Sequence, residues 1–123
     1  MGQAALTVAG FTTPEYADLA QECGVRLRAR GLGYRLISVQ SAGSWLGNVN
    51  LKPLAVALIL ATEPDGRRVL FLDVDAEVVA LPDELPPGDF LAYQHTRPSG
   101  ARELCSGTLL LRNTVETRRV VAA

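Results

Sequence analysis

The chain predicts an α/β fold: a Rossmann-like, mostly parallel sheet flanked by helices. Three observations carry this. Short apolar runs of strand length alternate with helix-length stretches in the order β-α-β-α-β, which calls for a parallel sheet with right-handed crossovers. One of those runs, Val69-Leu70-Phe71-Leu72, is apolar throughout and leads straight into Asp73-Val74-Asp75. At 123 residues, 48% of them hydrophobic, there is room for one core, so residues 1–123 form a single domain.

Leu6 to Phe11 is a short apolar run that serves as the first strand, punctuated by Gly10. Thr12-Thr13-Pro14-Glu15 reads as a helix start, with hydroxyl caps, a proline in the first turn and an early acid. The helix runs to about Arg30, with Tyr16, Leu19, Ala20, Cys23 and Leu27 spaced for one buried face, and Gly31 and Gly33 stop it. Tyr34 to Val39 is a second strand. Ser41 to Asn50 carries Gly, Ser and Asn around Trp45, and reads as a loop with that indole as its anchor. Lys52-Pro53 opens an Ala/Leu-rich helix through Ala61, favoured over a strand by its few β-branched residues. Pro64-Asp65-Gly66 is a turn, and Arg68 to Leu72 is the third strand. Pro82 to Gly88 is an exposed connection. Phe90 to Tyr93 and Thr108 to Leu111 are further strands. Asn113 with Glu116 resembles a capping box for a last helix.

A formal net charge of −1 gives no general pull toward nucleic acid or anionic membrane, so nucleic acid is not indicated as a partner. Lys52 is the only lysine. Cys23 and Cys105 stand far apart with no Cys-x-x-Cys or histidine cluster, which argues against zinc and reads as two small buried hydrophobes in a reducing compartment. No basic segment followed by an apolar core opens the chain, and Leu54 to Ala61, its longest apolar run, is too short for a membrane span. The expectation is a cytoplasmic protein.

Two carboxylates at the end of an apolar strand ask for a partner. On an extended strand, Asp73 and Asp75 share a face. Mg²⁺ or Mn²⁺ is commonly held by one or two carboxylates plus substrate phosphates, so this spacing points to a metal–phosphate site. In an open parallel sheet, ligands bind beyond the carboxyl ends of the strands near the topological switch point. Thr12, Thr13, Asp73 and Asp75 all follow strands, and converge on that edge.

Four stretches in order, TTPEY, GSWLGNVNLKP, VLFLDVDAEVV and LCSGTLLLRNT, resemble the nucleotide-diphospho-sugar transferases with an A-type glycosyltransferase fold and a DXD motif. The resemblance spans nearly the whole chain and implies a metal-dependent glycosyltransferase. Such an enzyme moves a sugar from a nucleotide-diphosphate donor, a UDP-sugar being favoured, to an acceptor that the residues leave open. It implies Mn²⁺ or Mg²⁺ at Asp73 and Asp75, with Asp75 and Lys52 as catalytic residues. Thr12 would contact base or ribose, Tyr16 would pack near the base, and Asp73 would add a ribose contact. Lys52 would act on the diphosphate, and Ser106 and Gly107 would form a small-residue turn bordering the donor sugar. For Tyr16 a core-facing helix position is an equal alternative. Trp45 reads as core before ligand contact, and His95 as a histidine in a polar loop. Glu77 and Glu103 are candidate general bases that nothing separates from surface acids.

The sequence departs from that family by ending early. Related transferases usually continue into an acceptor-shaping segment, often with a further histidine ligand, and Leu51 stands where an aromatic is common. Expected alternatives are a minimal enzyme completed as a homo-oligomer, a truncated chain, or a degenerate nucleotide-sugar-binding or assembly module without catalysis. A haloacid-dehalogenase-type phosphatase is rejected: its Asp-x-Asp lies near the N-terminus before Gly-Thr, whereas here Ala76-Glu77 follow.

Overall fold

Val69, Leu70, Phe71 and Leu72 alternate between two faces, yet all four are buried, so helices must cover both sides of their strand. The computed structural model, which describes residues 6–76 and 84–122, has that arrangement. Among the described residues, β1 (Leu6–Thr12), β2 (Arg35–Ser38), β3 (Arg68–Leu72), β4 (Phe90–Thr96) and β5 (Arg102–Arg112) form one sheet in the order β2-β1-β3-β5-β4. It is parallel through β2-β1-β3 and antiparallel through β3-β5-β4, because β4 and β5 are a hairpin rather than two crossover strands.

Helix α1 (Ala17–Ala29) covers one face, where Cys23 and Leu27 pack with Val8, Leu70, Leu72 and Leu110. Helices α3 (Lys52–Thr62) and α4 (Val115–Ala122) share the other. There Val56, Ile59 and Leu60 meet Ala9, Val69, Phe71 and Leu111, with Val121 against the same cluster. Burying Phe71 alone contributes about 1.5–3 kcal/mol. The short α2 (Trp45–Val49) lies within the stretch expected to be a loop, capped by Ser44 Oγ accepting from Gly47 N at 3.1 Å. From Trp45 to Thr62 the chain is long and apolar enough to cross a membrane by length and composition alone, a stretch the sequence reading had split. It is interrupted between α2 and α3, and the Val56–Ile59–Leu60 face is part of the core.

Helix ends depart from expectation in two places, the starts of α1 and α4. A 3-10 turn, Pro14–Tyr16, precedes α1, and Thr13 makes no side-chain cap. Gly31 does stop α1: at φ 78° its N–H reaches Arg28 O and the Leu32 N–H reaches Leu27 O, both at 2.9 Å. That is a Schellman ending, sealed by Leu32 packing with the Leu27 cluster. Asn113 is not a cap of α4. Thr114 is, accepting from Thr117 N at 3.1 Å. Asn113 is buried, and its Nδ2 faces Leu60 O, Glu63 O and Pro64 O at 2.9, 2.8 and 3.1 Å, tying the end of α3 to the turn after it, where Leu60 O also accepts from Glu63 N at 3.4 Å and Pro64 O from Arg67 N at 3.1 Å.

Candidate functional site at the β1 and β3 carboxyl edge

From β1 the chain leaves to β2 on one side, then crosses back through α3 to β3 on the other. The carboxyl ends of β1 and β3 are therefore the switch point, and a cavity of about 190 Å³ opens there. Phe11, Thr12 and Thr13 reach it from β1, and Tyr16 and Leu19 from the turn into α1. Trp45, Asn48 and Val49 come from α2, Lys52 from the first turn of α3, and Asp73, Val74 and Asp75 from the end of β3. One end is thus aromatic and aliphatic, the other charged. The volume is below the roughly 300 Å³ at which drug-sized pockets begin, so a ligand larger than one ring system extends over the open edge.

The charged end has defined geometry. Lys52 Nζ lies 2.7 Å from Asp73 Oδ1, with the lysine side chain 15% and the aspartate side chain 37% exposed. Gly107 approaches from β5: its carbonyl accepts from Asp73 N at 3.0 Å, and a β-carbon there would stand 3.1 Å from Asp73 Oδ2. The turn closes through Ala76 N to Asp73 O at 2.9 Å. Asp75 is exposed, and no hydrogen bond or ion pair joins its carboxylate to another described residue.

The floor is packed beneath this turn. The Tyr34 hydroxyl lies over Gly10 and 3.5 Å from Leu72 O, and Leu72 O would itself stand 2.7 Å from a β-carbon on Gly10. This approach is why a glycine interrupts β1. Burial pushes the Tyr34 phenol and the neighbouring Cys23 thiol above their ordinary ranges, so both are neutral. At the rim, the Ser41 hydroxyl holds the Glu15 carboxyl below its ordinary value, with a smaller contribution from Thr13. The Thr13 hydroxyl itself is buried without a hydrogen bond of ordinary geometry.

Two crystal structures of the glycosyltransferase GlyE from Streptococcus pneumoniae TIGR4, one of them the apo form, are similar to this chain in fold. Their TM-scores are 0.55 and 0.54 at 18% sequence identity over 94% of this chain. The chain spans about a third (36%) of the length of GlyE. No protein-family model matches the chain, and no curated protein matches it. At this identity the likeness establishes a glycosyltransferase-like α/β fold.

Thr12, Tyr16, Lys52, Asp73 and Asp75, all singled out in the sequence, are brought together in the cavity. Tyr16 and Leu19 are not core residues as their helical spacing suggested, since both remain more than a third exposed at its wall. Trp45 is not an anchor. It is 71% exposed, and the loop is held instead by buried Asn48, whose Oδ1 accepts from Ala42 N at 2.7 Å. Ser106 and Gly107 lie within β5, not in a turn, where Tyr93 pairs with Cys105 and Ala92 with Leu109 across an irregularity. His95 lies on β4 rather than in a loop, and Glu103 is held by Arg97 at 2.8 Å; neither lines the cavity. Glu77, and Pro82 and Asp83 at the start of the Pro82–Gly88 connection, lie outside the described residues. Asn48 and Val49 are cavity residues that sequence reading missed. The Ser44 cap four residues before Asn48 was the available signal for the first.

Proposed function

We propose that the chain binds a nucleotide-diphosphate sugar at this edge and takes part in metal-dependent sugar transfer. One observation carries the reading: Lys52, Asp73 and Asp75 share a cavity with an aromatic wall at the switch point of a glycosyltransferase-like fold. The wall suits a base, the lysine a phosphate, and the carboxylates a hard cation.

The donor set fits Mn²⁺ or Mg²⁺ in part. Asp75 is an exposed carboxylate with no partner among the described residues, as a direct ligand needs, while Asp73 already shares one oxygen with Lys52. Such an ion bound there supplies charge neutralisation to a departing diphosphate. In this reading Thr12 and Tyr16 hold the nucleoside, and Asp73 orients the ribose. Lys52 steadies the negative charge that develops on the leaving phosphate, an interaction stronger in the transition state than in the ground state. Gly107, pressed against Asp73, leaves room for the sugar beside the backbone of Ser106 and Gly107.

Calorimetry with UDP, GDP and their sugars, with and without Mn²⁺, tests this. Metal-dependent binding lost in Asp75→Ala supports the donor site, and no binding to any nucleotide overturns it. Binding followed by neither donor hydrolysis nor transfer would assign a binding role alone.

A further inference from the structure

Lys52 sits at the first position of α3, where the helix presents its positive end. A cation is disfavoured there, and its side chain is mostly enclosed, so the ammonium needs an acid. It has one: Asp73 Oδ1 at 2.7 Å. The charged groups lining the cavity are Lys52, Asp73 and Asp75, whose formal charges sum to −1.

We propose that Lys52 is a resident counter-ion that makes the cation and the diphosphate bind as a coupled pair. The inference rests on the donor-site reading. A divalent cation arriving alone meets a carboxylate that Lys52 already neutralises, and the ammonium beside it repels the second charge. A diphosphate arriving alone meets two carboxylates, and the amine that could offset them is engaged. When both arrive, the cation takes the carboxylates and Lys52 turns to the phosphate. Every charge then has an opposite neighbour. The four-carbon stem and three rotatable donors of lysine allow that exchange without backbone movement. An exchange of this kind makes each ligand raise the other's affinity by the same factor, and such factors usually fall at about 5–150-fold.

The test is titration of Mn²⁺ into the protein, with free Mn²⁺ read by electron paramagnetic resonance, in the presence and absence of UDP. Wild type is expected to bind Mn²⁺ weakly alone and about tenfold more tightly with UDP. Lys52→Gln is expected to bind Mn²⁺ alone several-fold more tightly than wild type and to lose most of the tightening by UDP. Lys52→Arg keeps the charge and is expected to restore weak binding of the metal alone, which separates charge from shape. Mn²⁺ affinity in Lys52→Gln that equals or falls below wild type, or is undetectable, overturns the proposal. A wild-type protein that binds UDP by calorimetry but whose Mn²⁺ affinity UDP leaves unchanged also overturns the proposal, whereas one that binds no UDP at all overturns the donor-site reading on which it rests.

Discussion

Replacing Asn113 with alanine removes the amide that closes the end of α3. The side chain is 1% exposed, and its Nδ2 faces three carbonyls at 2.8 to 3.1 Å, while Oδ1 accepts from Arg118 Nη1 at 2.9 Å. An amide nitrogen has two protons, so at most two of those three contacts are full hydrogen bonds at once. Each contributes about 1 kcal/mol net, and a buried carbonyl left without a donor costs about 1–3 kcal/mol. Leu60 O and Pro64 O keep backbone donors, Glu63 N at 3.4 Å and Arg67 N at 3.1 Å, so among the described residues Glu63 O is the carbonyl that depends most on the amide. The sum is about 2–4 kcal/mol, a sizeable part of the roughly 5–15 kcal/mol that stabilises a domain. Urea denaturation followed by circular dichroism measures it as a lower midpoint at unchanged slope. Thr114→Ala should cost about 0.5–2 kcal/mol as the true cap of α4. Glu116→Ala, the partner in the capping box expected from sequence, should stay within about 0.5 kcal/mol of wild type. A loss below about 0.5 kcal/mol for Asn113→Ala, or a Glu116→Ala cost as large as that of Thr114→Ala, refutes the assignment.

Gly107→Ala places a β-carbon 3.1 Å from Asp73 Oδ2, so the carboxylate must give by a few tenths of an ångström. Calorimetry should show weaker Mn²⁺–nucleotide binding with a denaturation midpoint near wild type. Trp45→Ala should leave stability within about 0.5 kcal/mol of wild type, because the indole is 71% exposed, yet weaken nucleotide binding by removing cavity wall. Stability should be full below pH 9.0, the ordinary value for the Cys23 thiol, and fall as pH rises beyond it. The sign follows from burial: the folded state keeps Cys23 and Tyr34 protonated to higher pH than the unfolded chain does, so alkali draws protons from the unfolded state first. Denaturation midpoints of wild type and a Cys23→Ala, Tyr34→Phe double variant across that range check this, with the variant falling less.

The alternation of apolar runs and helical stretches made the α/β layers legible, since each run had to be buried on a sheet. The hairpin was harder to see. β4 and β5 are joined by Arg97-Pro98-Ser99-Gly100-Ala101, and nothing in Phe90–Tyr93 distinguishes a hairpin strand from a crossover strand. Strand order then decided the site: residues that merely follow strands in sequence converge because β1 and β3 are adjacent. Thr12, Thr13, Asp73 and Asp75 were legible for that reason, and Lys52 as the only lysine, matching a basic position in the family it resembles. The roles of Trp45 and Asn48 were inverted because residue type was read without tertiary context. An indole usually seeks burial, but α2 leaves it outside, while the amide turns inward to hold the backbone of Ala42. Asn113 misled similarly, since its position before Glu116 fits a cap while its burial serves another helix.

The most direct test of the donor site is amide mapping by nuclear magnetic resonance, with UDP added and Mn²⁺ then introduced at low ratio for paramagnetic broadening. The account expects UDP to shift the amides of Thr12, Thr13, Tyr16, Val49 and Lys52. Mn²⁺ should broaden Asp73, Val74 and Asp75 first, and the broadening should vanish in Asp75→Asn. No shift with UDP, or broadening centred on the β4–β5 hairpin, would contradict it.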